Sequence, residues 1–460
     1  MPDTGMHPAA RELPPVTGRR NAWVLVTLCL GVLVAQVDTS VVNLATQPIA
    51  TSFGASVGAL QWVLDGYNLA YAVLLLTGGL IADLYGRRRV FQAGAAVIGA
   101  ASLGCALAPS IGILVAARVA AGIGAAMLLP TSLAIVRVVW PEQESRRRAL
   151  GVWASCNGLA FAIGPTVGGV LIQWFGWPSV FYLAVPLVLA AFVMAHVVVP
   201  ESADPSGRRL DLPGQVLGAV ALGALVVAGI DSHQEGSAWA VSLAVAMVAL
   251  GMFVRVERRA GPTALVPLAL FRQPAVCGAI VATAAMTFGI YGMIFLVPLI
   301  WQSSGLLGAE GAGLGLLPCA VVFFLVSQPS GHLANRVGVR IMTAGGTAVI
   351  ACGLAVLAAT QAGRPLAASE IGLALTGVGM GLNTGPLMSV AVGAVEAGRS
   401  GTASALVNVA RMTGATLGVA VLGAAFALWH GGADGLRAAM LVGAAVQLLG
   451  AITAWVTIRG

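Results

Sequence analysis

Four charged residues stand inside otherwise apolar runs of this chain: Asp38, Asp65, Arg118 and Arg411. A charge in hydrocarbon costs roughly 2.5–3.5 kcal/mol on insertion scales, so it persists where it works or where it is paired. The chemistry open to such a set is the binding and release of a proton. Counted from the run ends at 46, 58 and 112, Asp38, Asp65 and Arg118 lie at depths of about 9–12 Å. They share one layer. Two acids and one base sum to a negative charge when all are ionised. That favours an ion pair between Arg118 and one carboxyl, and it leaves the other carboxyl without a counter-charge. On the first run Gln36, Ser40, Asn43 and Gln47 recur at helical spacing and share a face. Asp38 lies about 200° round from Gln36 at 100° per residue. The reading is a polar stripe towards a central cavity, with Asp38 turned into its own bundle. Gln61, Asp65 and Asn68 form a second stripe, so Asp65 is expected to meet the cavity more directly than Asp38. Arg411, beside Asn408, belongs either to the cavity or to helix carbonyls that it satisfies.

Absences exclude other chemistries. All 24 basic residues are Arg, and the chain has no Lys. A phosphate-binding Walker A loop needs its Lys, and so does a Schiff base to retinal or pyridoxal phosphate. Uphill work would therefore draw on an ion gradient or on a separate chain. No HExxH or GxSxG motif is present, and His7, His196, His233, His332 and His430 are scattered, so an enzyme is not expected. Cys29, Cys105, Cys156, Cys277, Cys319 and Cys352 all fall in apolar stretches without a CxxC pair. Such thiols behave as small hydrophobes, and neither a disulfide, a metal site nor a cofactor is read from them. The net charge of +7 is read as Arg gathered in cytoplasmic loops rather than as a nucleic-acid surface.

The elements that must carry these residues follow from composition. Hydrophobic residues make up 58% and charged residues 9%, against roughly 25% charged in a soluble domain. With about 20 apolar residues per span, the runs predict an all-α polytopic membrane protein of fourteen spans. They lie at 22–46, 58–83, 90–107, 112–136, 149–174, 180–199, 213–230, 239–254, 276–300, 313–331, 341–360, 367–389, 401–428 and 438–457. With both termini inside, Arg364 and Arg437 fall outside, Arg118 and Arg411 fall in the membrane, and the other Arg residues fall inside, as the positive-inside rule requires. The run from Asn21 is of span length, so it reads as an uncleaved first helix rather than a signal peptide. Residues 79–88 (GLIADLYGRR) and 331–340 (GHLANRVGVR) match at Gly79/Gly331, Ala82/Ala334, Gly86/Gly338 and Arg88/Arg340. Each copy ends the second span of a half, a repeat that suits a two-bundle transporter. The predicted organisation is a tail at 1–21, a six-helix bundle at 22–199, a linker with two extra spans at 200–275 and a second six-helix bundle at 276–460.

Several segments carry a family resemblance. VDTSVVNLA (37–45) is similar to an Asp-x-Thr-x-x-Asn signature, and GLIADLYGRRRV (79–90) resembles a Gly-x-Leu-Ala-Asp-x-x-Gly-Arg-Arg loop. RVAAGIGAAMLLP (118–130) is similar to an Arg-x-x-x-Gly-x-Gly motif, and NGLAFAIGPTVGGVL (157–171) resembles the Gly-Pro signature of antiporting members. NVARMTGATLGVA (408–420) adds a C-terminal match. Together these resemble the major facilitator superfamily, in its fourteen-span drug:proton antiporter branch. Departures are Leu84 at an often basic place, Asn335 opposite Asp83, and a thirteenth span without the acid that some members carry there for cationic drugs.

The resemblance implies a proton-coupled exporter of an amphipathic drug or antibiotic, acting in the inner membrane as a functional monomer, with protons, lipid and the small organic substrate as its partners. Asp38, Asp65 and Arg118 would couple protons. Gly79, Asp83, Gly86, Arg87 and Arg88 would form a conformational latch, and Gly164, Pro165, Gly168 and Gly169 an antiporter motif. Gln36, Asn43, Gln61, Asn68, Tyr291 and Arg411 would line the substrate cavity. An importer of a small organic solute is the same-class alternative; a membrane enzyme and a non-transporting receptor are the others.

Overall fold

The computed structural model describes residues 18–204, 211–232, 237–260, 266, 268–359, 366–395 and 400–458. Most of the expected N-terminal tail, together with Arg208, Arg209, Arg364, Arg399 and Arg459, lies outside the described residues. Among the described residues the regular structure is helical throughout. In hydrocarbon every backbone N–H and C=O must find an internal partner, and the helix supplies one within each segment.

The first group comprises α1 (Gly18–Phe53), α2 (Val57–Tyr85), α3 (Arg87–Ala106), α4 (Ile111–Val139), α5 (Gln143–Phe175) and α6 (Ser179–Val198). Next come α7 (Leu212–Asp231) and α8 (Ala238–Ala260). The second group is α9 (Pro274–Ser303), the short α10 (Ala309–Gly315), α11 (Leu317–Val337), α12 (Val339–Ala359), α13 (Leu366–Gly393), α14 (Ser400–Leu428) and α15 (Gly432–Thr457). Among the described residues thirteen helices are long and apolar enough to cross a membrane by length and composition, α10 and α11 counting as one. The chain is a multi-pass membrane protein. The helix α13, 28 residues long, is not among the thirteen and packs along α11 and α12.

Local sequence explains the punctuation. Ser56 and Ser110 cap α2 and α4 by accepting from Ala59 N (3.3 Å) and Ile113 N (3.4 Å). The two copies of the repeated segment end in the same way. Gly86 turns at φ 107° and Gly338 at φ 96°, a region that side chains with a Cβ resist. The expected span at 313–331 lies within the single candidate span Ala309–Val337. The run at 313–331 is broken at Leu316, because Pro318 stands at the start of α11 and cannot continue the hydrogen bonding of α10.

In the first group α2 and α3 pack on α4, and α1 packs on α5 and α6. In the second, α9 packs on α14 and α15, and α12 on α13 and α15. The helices approach closely through small residues. A Cβ at Gly122 of α4 would collide with the Tyr67 carbonyl of α2, and one at Gly78 of α2 with the Ala126 carbonyl of α4. The pair α7–α8 lies beside the seam between the groups. Gln215 of α7 hydrogen-bonds Thr77 and the Val73 carbonyl of α2, while Val226 and Ile230 pack on Ala420 of α14.

The α2–α4 contact gives a clean stability test. Gly122→Ala should lower the melting temperature in detergent by several degrees, since overpacking costs about 1–3 kcal/mol and the obstacle here is backbone. Gly99→Ala, in α3 with open space around it, should leave the melting temperature unchanged. Equal melting of both variants would contradict this packing.

Candidate functional site

At the centre of the first group Arg118 Nη1 donates to Asp38 Oδ2, an ion pair between α4 and α1. Arg118 is the largest fully buried side chain. Its Nε donates to the Val63 carbonyl of α2 at 2.9 Å. The guanidinium lies 4.6 Å from the centroid of the Tyr67 ring, and the Tyr67 hydroxyl donates to the Ala35 carbonyl of α1 at 3.0 Å. One cation thus joins three helices. The planar guanidinium suits this, because separate N–H groups can point at a carboxylate and at a carbonyl together. Asp38 is turned into its own group, away from the α1 polar stripe. On that stripe Ser40 donates to the Val37 carbonyl at 3.0 Å and Asn43 to the Thr39 carbonyl at 2.9 Å, and Gln36 is half-buried.

Asp65 lies in the same layer, two residues beyond the carbonyl that Arg118 grips. It is fully buried, and neither carboxylate oxygen has a hydrogen-bond partner among the described residues. At 100° per residue, Gln61, Asp65 and Asn68 share the face of α2 opposite the one that packs on α4. That face is covered. Gln61 Nε2 donates to the Val419 and Ala420 carbonyls of α14 at 2.9 and 2.8 Å. The expected direct opening of Asp65 to a cavity is therefore corrected: Asp65 is fully buried in this conformation, and α14 covers the stripe at Gln61.

Arg411 projects from α14, half-buried, with its Nε buried and unpartnered. Its electrostatic neighbours are Tyr291 of α9 and Tyr71 of α2, and Tyr291 also interacts with Thr39 of α1. Four helices from both groups thus meet around Tyr291 and Arg411.

The Gly-Pro segment of α5 is used on two sides. Gly164 and Gly168 leave room for Ser40 and Val41 of α1, within the first group. Gly169 lies against the backbone of Ala309 and Glu310, and the Pro165 carbonyl against Gly313, in α10 of the second group. Gln302 of α9 donates to the Leu44 carbonyl of α1 at 3.1 Å. The bonds tying the groups together thus gather in the half of the molecule away from the Arg-rich loops.

At the Arg-rich end Arg87 Nε and Nη2 donate to Asp83 Oδ1 at 3.0 and 2.7 Å. The Arg88 N–H donates to Glu201 Oε1 at 3.1 Å, and Glu201 also faces the side chains of Arg88 and Arg89 at 3.6 and 3.7 Å. The strand of chain after α6 is pinned here. Arg87 N donates to the Ser202 carbonyl and Asp204 N to the Asp83 carbonyl, both at 2.8 Å. Gly79 lies near Pro130 of α4, and Gly86 makes the turn beside Glu201. In the second copy Asn335 is exposed, and Arg340 stacks 4.1 Å over the Trp455 ring.

Several partners had no side-chain signal in the sequence. Val63 contributes only a carbonyl, and Tyr67 looks like any apolar aromatic. Glu201 is an acid just past a span, three residues from Asp204, a setting that by itself points to water rather than to a partner.

Breaking a buried pair by removing one partner costs about 3–5 kcal/mol, because a bare charge is left behind. Arg118→Met should therefore lower the melting temperature more than Arg118→Met combined with Asp38→Asn. An additive loss in the double variant would show that the two side chains do not interact.

Comparison with known proteins fits this architecture. The profile of the Major Facilitator Superfamily matches residues 28–419. The multidrug resistance protein Stp of Mycobacterium tuberculosis is 36% identical over 416 residues, covering 89% of this chain and 77% of its own. The methylenomycin A resistance protein of Bacillus subtilis is 31% identical, covering 95% of each chain. A probable actinorhodin transporter of Streptomyces coelicolor is 32% identical over 93% of this chain and 76% of its own. Among solved structures, a peptide transporter in complex with sulfate superposes with a TM-score of 0.71 at 14% identity, covering 94% of each chain. A D-xylose–proton symporter superposes with a TM-score of 0.69 at 14% identity over 96% of this chain and 98% of its own. The solved structures share the fold, and the family match together with the relatives above 30% identity shows that this chain is a transporter, not an enzyme, and belongs to the major facilitator superfamily.

Proposed function

We propose that the protein exports amphipathic drugs or an antibiotic from the cell in exchange for protons, and that Asp65 is the carboxyl that exchanges the proton. The observation that carries this is the contrast between two acids of one layer. Asp38 is neutralised by Arg118, whereas Asp65 is enclosed with no partner among the described residues. A carboxylate in that place would stand uncompensated, at a cost that a neutral acid does not meet. Release of the proton then requires the α2–α14 seam to open, and opening of that seam is a movement of one group against the other. Proton traffic and conformational change become one event. The Asp38–Arg118 pair keeps the rest of the layer neutral and braces α1, α2 and α4 during the movement.

The names of the relatives, a multidrug resistance protein, a methylenomycin A resistance protein and a probable actinorhodin transporter, support export over import. Arg-rich loops at one end support an orientation with that end in the cytoplasm and α13 as the remaining span of fourteen, which keeps those loops on one side; we read the chain as residing in the cell membrane as a monomer. The bundles at 22–199 and 276–460, with α7 and α8 between, are the moving bodies. Since they meet at the end away from the Arg-rich loops, this conformation is the one closed towards the outside. Asp83 is the latch for the opposite state and Asn335, without charge, is not. One proton entering down 100 mV and one pH unit yields about 3.7 kcal/mol. That supports roughly a 400-fold gradient of a neutral solute at 1.4 kcal/mol per tenfold.

The test is transport in proteoliposomes. With an imposed proton gradient the wild type should accumulate a fluorescent drug, and Asp65→Asn should abolish the accumulation while keeping drug-for-drug counterflow. Asp38→Asn should weaken accumulation and counterflow together without abolishing either, because Arg118 is left bare. Full accumulation by Asp65→Asn would remove this carboxyl from coupling. Orientation is tested separately. On a Cys-free background Ser237→Cys and Gly432→Cys should react with an impermeant thiol reagent added to intact cells, and Gln143→Cys should not; the reverse pattern would invert the topology.

A further inference from the structure

Arg411 has no acid paired with it among the described residues. It stands eleven residues into α14, about 16 Å from the start of the helix at 1.5 Å per residue. The second group places its described acids at helix beginnings: Glu310 and Asp434 in first turns and Glu370 near the start of α13. The helices α9, α11, α12 and α14 contain none. Opposite lies α2, whose register on α14 is set by Gln61 against Val419 and Ala420. Counting down α2 and back along α14 from that contact, Asp65 is level with Ala415 and Thr416. Arg411 is level with Leu69, about one helical turn further towards the Arg-rich end. Its electrostatic neighbours are two phenols, Tyr71 and Tyr291, and no carboxylate. Its Nε is buried without a partner. A half-buried guanidinium whose Nε is buried without a partner, with two phenols near enough to act on it electrostatically, stands at a junction of both groups and can receive an oxyanion.

We propose that Arg411, with the Tyr71 and Tyr291 hydroxyls, is the docking point for an acidic group of the exported molecule, a carboxylate in the simplest case. The substrate class is then an amphipathic organic acid rather than a cation. This rests on the reading of the chain as an exporter, and it adds a consequence. Moving a monoanion out while a proton moves in transfers two charges in the same direction, so a negative interior drives both. The competing role for Arg411 is as the counter-charge that Asp65 meets once the seam moves, in which case Arg411 would serve every substrate alike.

The experiment uses the full chain in nanodiscs and a matched pair of probes: a fluorescent amphipathic monocarboxylate and its methyl ester. Binding is read by fluorescence anisotropy, so the result does not depend on proton coupling. The wild type should prefer the acid by about tenfold or more, the size of a charge-assisted hydrogen bond. Arg411→Gln should bring the affinity for the acid down to that for the ester and leave ester binding unchanged. Arg411→Lys should retain part of the preference, since the charge stays while the fork is lost. Retained ester binding also shows that the variant is folded. No preference in the wild type, or equal loss of acid and ester in Arg411→Gln, would overturn the assignment. In proteoliposomes, failure of proton-driven accumulation with intact acid preference would count against the antiport reading and leave the docking site standing.

Discussion

The arrangement of this molecule depends on one buried ion pair. Arg118 could not remain in the interior alone, and Asp38 neutralises it across the gap between α4 and α1. Because the guanidinium also holds the Val63 carbonyl and lies over Tyr67, its neutralisation fixes α2 as well. Every other charge in the membrane layer is defined against that pair. With Arg118 committed, Asp65 has no cation among its described neighbours, and Arg411 on the far side of the seam has no anion. The membrane region therefore holds one closed pair and, on opposite groups and about one helical turn apart, a carboxyl and a guanidinium without counter-charges among the described residues, which is a simple way to make the interface between the groups the place where protons and solute act.

Small residues let this happen without voids. Gly78 and Gly122 bring α2 and α4 to backbone contact, which sets the depth at which Arg118 reaches the Val63 carbonyl. The α5 segment at Gly164–Gly169 does a double task, holding α1 on one side and meeting α10 on the other. A bulky side chain on either side would hold the groups apart at the closed end. Gln215 ties α7 to α2, while the contact of α7 with α14 is apolar. Hydrogen bonds resist sliding and apolar contacts tolerate it, so α7 should travel with the first group and cover the seam as the second moves.

Much of this was legible in the residues. Apolar run lengths, Arg placement and the repeated Gly-turn segment predict an all-helical multi-pass chain, and counting depth along each run places Asp38, Asp65 and Arg118 together. Periodicity also separates the α1 stripe from Asp38. What periodicity cannot say is what covers a face. The stripe of Gln61, Asp65 and Asn68 was readable as polar, but α14, some 350 residues later in the chain, covers it through backbone carbonyls that carry no sequence mark. The break at Leu316 was masked by continuous hydropathy, although Pro318 was its visible cause. Glu201 and Gln215 were hidden because single polar residues near span ends are common and usually meet water.

The most direct test of which carboxyl carries the proton is infrared difference spectroscopy of the carboxylic acid C=O stretch, recorded as substrate binding is triggered. A protonated-acid band should disappear in the wild type, be retained as a difference signal in Asp38→Asn, and be absent from the difference spectrum of Asp65→Asn. A band that survives in Asp65→Asn and vanishes in Asp38→Asn would move the proton to the paired carboxyl and contradict the division between one closed pair and one exchanging acid.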